Sequence, residues 1–194
     1  MDRYEDYLRF RIFQLLVAPF ERFNPNMLSI TSLVFAIATG LSLYFHYFIA
    51  AFIFLAASNF FDGIDGYIAR KTDRVTEAGF LYDHISDRLS DSAMFIGIAA
   101  AFDFWGLSLM TLVIIIFSSY IGVLGKIYHL EQNKAGIFNR TIRIYLLLVT
   151  ILLMVFFPEN DGNIMRIFLM FSIVAGLYTS TSRLIVLMKN VKHI

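Results

Sequence analysis

The sequence predicts an all-α membrane protein with six transmembrane helices, preceded by an N-terminal amphipathic helix lying in the membrane interface. Three observations carry this expectation. Hydrophobic residues make up 58% of the 194-residue chain and mean hydropathy is +0.69, whereas a soluble domain is about 45–50% apolar. Six segments approach the roughly 20 apolar residues that cross a bilayer as a helix. The basic residues collect in alternate connections between those segments. A core of this size cannot hide so much apolar surface, so lipid must cover part of it. The net charge of +1 gives no electrostatic pointer to nucleic acid. The absence of cysteine excludes disulfides and thiolate metal sites. No secretory signal is evident, because the first residues mix acids and bases and lead to no short apolar stretch.

In chain order, Asp2–Phe23 is too charged to span. Tyr4, Tyr7, Leu8, Ile12 and Leu15 share one helical stripe, with Arg3, Asp6 and Arg9 elsewhere, the pattern of an interfacial helix. Asn24-Pro25-Asn26 breaks it and opens the first span. The six spans are expected near Met27–Tyr47, Phe48–Arg70, Glu77–Phe102, Leu107–His129, Arg140–Phe157 and Asn163–Met188. A short turn at His46 joins the first two. No repeat or linker divides the chain, so 1–194 reads as one domain, with 1–23 interfacial and 24–194 the bundle.

An even number of spans puts both termini on one side. All of the 16 basic residues except Arg88 and Arg166 fall on that side. The positive-inside rule therefore predicts cytoplasmic termini, and cytoplasmic loops around Arg70 and Lys134.

Asp62 and Asp65 sit three apart at the predicted cytoplasmic end of the second span. Asp83 and Asp87 sit four apart in the first turns of the third. Each pair shares a helical face. The connection is short, so the two helices are expected to be antiparallel neighbours whose acidic faces meet. An aspartate at mid-helix costs about 2.5–3.5 kcal/mol on insertion scales, and four like charges add repulsion. Arg70 and Arg88 within these segments supply too little positive charge. Divalent cations supply enough, and carboxylate-only ligation favours Mg²⁺, with Mn²⁺ or Ca²⁺ as alternatives, over zinc or copper. Four carboxylates suit the two ions of a phosphoryl-transfer site. Gly66 and Gly79 remove side chains where the helices are expected to face each other, which serves close packing or ligand approach. Asp91, one turn beyond Asp87, is expected to pair with a base such as Arg88. His84 reads as a polar packing residue.

These residues resemble the signature of the CDP-alcohol phosphotransferases, D-x2-D-G-x2-A-R-x8-G-x3-D-x3-D. Asp62, Asp65, Gly66, Ala69, Arg70, Gly79, Asp83 and Asp87 match every fixed position at that spacing. Pro25-Asn26-x-x-Ser29 is similar to the family's entry into the first span, with serine for threonine. The resemblance implies that Asp62, Asp65, Asp83 and Asp87 hold two Mg²⁺ or Mn²⁺ ions and that Asp87 is also the general base. It implies a CDP site lined by Asp65, Gly66, Ala69, Arg70 and Gly79, to which Arg74, Thr76, Ser58, Asn26 and Ser29 are further candidates. It implies a membrane-embedded homodimer with a CDP-linked alcohol donor and a small polar alcohol acceptor. The reaction would release CMP by direct displacement, with no covalent intermediate.

Arg140 and Arg143 fall on one face at the start of the fifth span, after Lys134. Paired arginines suit a phosphate monoester, and the segment resembles that of family members taking a phosphorylated polyol. The expected reaction therefore joins CDP-diacylglycerol or CDP-archaeol to inositol phosphate or glycerol phosphate. Serine as acceptor and a soluble donor such as CDP-inositol are the alternatives. From another class, a divalent-metal transporter would want ligands at mid-membrane between repeated halves, which the sequence lacks.

Overall fold

The computed structural model describes residues 17–127 and 136–191. Among them are six α-helices and no strand: α1 (Pro25–Tyr44), α2 (Phe48–Lys71), α3 (Glu77–Phe102), α4 (Trp105–Ile127), α5 (Arg140–Phe156) and α6 (Asp161–Val191). Helix α1 begins at Pro25, ahead of the apolar run, because proline suits a first turn and Asn24 Oδ1 accepts from Asn26 N at 3.1 Å. The turns after α1, α2 and α3 each contain one left-handed residue: His46, Asp73 and Asp103, at φ of 57°, 51° and 55°. Histidine and aspartate are among the side chains that enter this region most readily.

Four helical segments are long and apolar enough to cross a membrane: Pro25–Tyr44, Phe48–Lys71, Trp105–Gly125 and Pro158–Asn190. The other two predicted spans form helices but fall short of that description for different reasons. Helix α3 carries Glu77, Asp83, Asp87, Arg88 and Asp91. Helix α5 has 17 residues, which at 1.5 Å rise stops a little short of a hydrocarbon core of about 30 Å. Exposed apolar stripes run along the outside, such as Ile30, Val34, Ile37 and Leu41 on α1 and Ile167, Met170 and Val174 on α6. Contiguous apolar surface on this scale is what lipid covers.

Each helix packs principally on two others, in the cyclic order α1–α2–α5–α6–α4–α3 and back to α1. The expected side-by-side packing of α2 and α3 is therefore corrected. Those two helices share little contact, and α1 lies against both. Five residues, Thr72 to Thr76, join α2 to α3 across Asp73 while α1 occupies the space between their bodies, so the helices splay and leave a cleft.

The ring has an apolar end and a polar end. Leu43, Leu55, Phe95, Ile98, Ile151, Met154 and Leu169 fill the apolar end. Helices α1 and α3 cross there at Gly40 and Gly97, and a Cβ on Gly97 would collide with the Gly40 carbonyl oxygen. Backbone offers no flexible group to move aside, so Gly97→Ala is expected to lower the unfolding temperature in detergent, at a cost of about 1–3 kcal/mol. An unchanged melting profile would contradict this contact.

The amphipathic stripe of the N-terminal segment lies outside the described residues. The part of that segment that is described docks on α2. Val17 is fully buried beside Leu28, Ile64 and Ile68, Phe20 meets Phe60 and Phe61 edge-on, and Lys71 Nζ lies 2.6 Å from Glu21 Oε1.

Candidate active site and metal centre

The polar end of the ring gathers residues from every helix. Asp62 and Asp65 are one turn apart near the end of α2. Thr76 caps α3, its Oγ1 accepting from Gly79 N at 3.0 Å, which fixes the turns carrying Asp83 and Asp87. Asn139 caps α5, its Oδ1 accepting from Ile142 N at 2.9 Å. That cap sets Arg140 and Arg143 in the first turn of α5. Cations at a helix N-terminus oppose the macrodipole, so each needs carboxylates close by.

Both have them. Arg140 Nη1 lies 2.6 Å from Asp62 Oδ2 and 2.5 Å from Asp87 Oδ1. Arg143 Nη2 donates to both oxygens of Asp91, at 2.7 and 2.8 Å. Arg88 stands 3.5 Å from Asp87 and 3.7 Å from Asp91 and donates to Ser119 Oγ. Ser29 Oγ donates to Asp65 Oδ2 at 2.5 Å, holding a carboxylate that is only 5% exposed. His84 Nδ1 lies 3.5 Å from Asp83 Oδ2, with the imidazole against the Phe80 ring.

Asp62, Asp83 and Asp87 each offer an oxygen within 4.8 Å of the others, close enough to hold one cation. Asp65 lines the same cavity one turn away, tied to Ser29. An all-oxygen donor set of this kind fits Mg²⁺ or Mn²⁺.

Two cavities meet at these carboxylates. One, of about 440 Å³, is lined by Asn26, Ser29, Asp62, Asp65, Gly66, Ala69, Arg70, Arg74, Thr76, Gly79 and Asp83. The other, of about 540 Å³, is lined by His84, Arg88, Ser119, Tyr120, Gly122 and Arg183. Asp87 and Arg140 line both, so they form the partition.

The structure thus brings together every signature residue, with Asn26, Ser29, Arg74 and Thr76. It removes Ser58, which is buried in a reciprocal Ser32–Ser58 clasp between α1 and α2 (Ser32 Oγ to Ser58 O at 2.9 Å, Ser58 Oγ to Ser32 O at 3.0 Å). The expected joint role of Arg140 and Arg143 is also corrected. Arg140 faces the cavities, whereas Arg143 is buried on Asp91. The expected pairing of Asp91 with a base such as Arg88 is present at 3.7 Å, and Arg143, at 2.7 Å, is its nearer partner. Gly66 and Gly79 face side chains that line the cavity. A Cβ on Gly66 would meet Arg70, and one on Gly79 would meet Thr76 and Asn26, all cavity groups. Lys134 lies outside the described residues. Sequence reasoning missed Arg183, which donates to Ser118 O at 3.0 Å and lines the larger cavity. Its signal was a charge set in an apolar stretch, the one charged residue between Arg166 and Lys189 of α6.

The sequence profile of the CDP-alcohol phosphatidyltransferase family matches residues 22–178, a stretch that contains both acidic pairs and both arginines of α5. The chain belongs to the CDP-alcohol phosphatidyltransferase family. With its four long apolar helices, this family member is an integral membrane protein. It is 34% identical over 91 residues to archaetidylinositol phosphate synthase of Pyrococcus horikoshii, covering 46% of this chain and 48% of the relative. The chain thus spans about half the length of that curated relative. It is 31% identical over 147 residues to an uncharacterised protein of Aquifex aeolicus, covering 71% of this chain and 74% of the other. The fold is similar to that of Mycobacterium tuberculosis phosphatidylinositol phosphate synthase. The structure with CDP-DAG bound matches at a TM-score of 0.77 and 22% identity, covering 91% of this chain and 94% of that one. The structure in complex with manganese and citrate matches at 0.74 and 22%, covering 92% and 88%.

Proposed function

We propose that this CDP-alcohol phosphatidyltransferase moves a phosphatidyl-type group from a CDP-linked lipid to a hydroxyl of a polyol phosphate, releasing CMP. The observation that carries the reading is the partition. Asp87 stands between a cavity edged by the signature residues and a cavity lined by arginines. In this reading the smaller cavity takes the cytidine diphosphate of the donor, with Arg70 and Arg74 toward its phosphates. The larger takes the acceptor, whose phosphate faces Arg88, Arg140 and Arg183. Serine as acceptor would leave that cationic lining without a monoester to meet. The family member that carries the name archaetidylinositol phosphate synthase and the fold similarity to phosphatidylinositol phosphate synthase support a polyol phosphate.

The chemistry follows from the placement. Asp62, Asp65, Asp83 and Asp87 would hold two Mg²⁺ or Mn²⁺ ions, which when bound supply the positive charge that offsets the pyrophosphate and the departing CMP. Asp87 accepts the proton of the acceptor hydroxyl as its oxygen attacks the lipid-bearing phosphorus. The new P–O bond forms as the pyrophosphate P–O bond breaks, and CMP leaves with the electron pair. Ser29 orients Asp65, and the arginines position the acceptor for in-line attack.

We further place α3 and α5 across the bilayer as the third and fifth of six spans in a single domain. The charges within their bodies, Asp87, Arg88, Asp91, Arg140 and Arg143, face the ring interior, so lipid does not meet them. Both termini and the active site are cytoplasmic in this arrangement, and the chain works as a homodimer.

The test is CMP release by purified protein in lipid micelles. CDP-diacylglycerol and CDP-archaeol are each offered with inositol phosphate, glycerol phosphate, inositol or serine. Release that depends on Mn²⁺ or Mg²⁺ and on a phosphorylated acceptor is expected. Release with serine alone would overturn the acceptor, and no release with any pair would overturn the reaction.

A further inference from the structure

Arg140 occupies a position with two possible partners. Its Nη1 contacts Asp62 Oδ2 and Asp87 Oδ1, two of the three carboxylates whose oxygens converge on a cation-sized space. A divalent ion seated among these carboxylates competes with the guanidinium nitrogen for their oxygens. A small divalent ion draws its oxygens to about 2.0–2.1 Å, and Arg140 Nη1 already bridges two of the three carboxylates. Charge points the same way. Four carboxylates carry −4, which two divalent ions neutralise in full, leaving Arg140 surplus beside Arg88. Without ions, Arg140 is the nearest counter-charge to Asp62 and Asp87.

The present pose also leaves the guanidinium incompletely satisfied. Arg140 Nε is buried without a hydrogen-bond partner, a state that a buried donor pays for. Because Arg140 lines both cavities, a rotation of its side chain carries it toward Arg88 and Arg183. An anionic oxygen there could meet Nε and Nη together.

We propose that Arg140 is a resident counter-ion of the carboxylate cluster, displaced by divalent cations into the arginine-lined cavity, so that metal loading completes the anion-binding site. This rests on the metal and acceptor assignments above. Linkage then requires reciprocity: metal improves anion binding and anion improves metal binding by the same factor. An empty metal site would hold the acceptor poorly, which discourages idle occupancy.

A different role for Arg140, as a strut that orders Asp62 and Asp87 for the metal, gives the opposite sign on deletion. The test is Mn²⁺ affinity of the full-length protein in detergent, read by the electron paramagnetic resonance of free Mn²⁺. Arg140→Met is expected to bind Mn²⁺ more tightly than wild type by about tenfold, within the 5–150-fold range of typical coupled sites, with Arg140→Lys between them. Equal or weaker binding by a folded Arg140→Met would overturn the proposal. A second measurement uses wild type alone, so it stands even where the variant fails to fold. Phenylglyoxal modification of Arg140, mapped by mass spectrometry, is expected to rise several-fold when Mn²⁺ is added, and no rise would overturn the displacement. Absence of any Mn²⁺ binding by wild type would instead remove the metal assignment on which the proposal stands.

Discussion

Asp87→Asn is expected to reduce CMP release by about 10²–10⁴-fold, the range of a lost general base, while Mn²⁺ binding survives in weakened form. Asparagine is nearly the same size and keeps a carbonyl oxygen that can still ligate a cation. It cannot accept a proton at neutral pH. Asp62 and Asp83 would continue to supply the other oxygens of the cluster. The variant therefore separates the two roles proposed for Asp87. Asp62→Asn and Asp83→Asn are expected to behave differently, losing metal affinity and turnover in step, so that raising Mn²⁺ restores part of their rate. Excess Mn²⁺ should not rescue Asp87→Asn. The comparison is made on steady-state CMP release and on Mn²⁺ titrations of the same preparations. Full turnover by Asp87→Asn would end the assignment of Asp87 as the base.

Arg143→Met is expected to destabilise the protein by about 3–5 kcal/mol, the cost of leaving one member of a buried ion pair alone. Asp91 is fully buried and Arg143 nearly so, and the pair joins α3 to α5 across the ring. Arg88, 3.7 Å from Asp91, can take over part of the charge, which places the effect toward the lower end of the range. The pair itself is a different matter from its half. Replacing both members, as Arg143→Met with Asp91→Leu, is expected to recover most of the loss, because two well-packed apolar side chains need no desolvation offset. Thermal unfolding in detergent and folded yield measure both variants. A single variant that melts like wild type would show that Asp91 is not uncompensated.

The acidic cluster was legible because a membrane makes charge conspicuous. Four aspartates at helical spacing in apolar segments have few explanations, and the signature spacing of Asp62 through Asp87 pointed to one family. Helix positions were legible for the same reason. What failed was the arrangement of helices. The short connection through Asp73 says that α2 and α3 follow one another, not that they touch, and nothing local revealed α1 lying against both. Ser58 looked available because serine carries a hydroxyl, but only packing shows that Ser32 consumes it. Arg140 and Arg143 are one turn apart, yet the first meets the cavities and the second meets Asp91. A modest rotation around the helix decided that, and such a rotation is set by distant packing. Gly40 and Gly97 lay 57 positions apart, and no periodic signal links two single glycines on different helices.

The splay between α2 and α3 has a kinetic consequence. Val75 and Phe80, both well exposed, stand at the edge of the smaller cavity, so apolar side chains flank its mouth. A donor bearing two hydrocarbon tails would enter by sliding within its own leaflet. The reaction rate should then track the mole fraction of donor in mixed micelles, and stay level when detergent and donor are diluted together into more buffer.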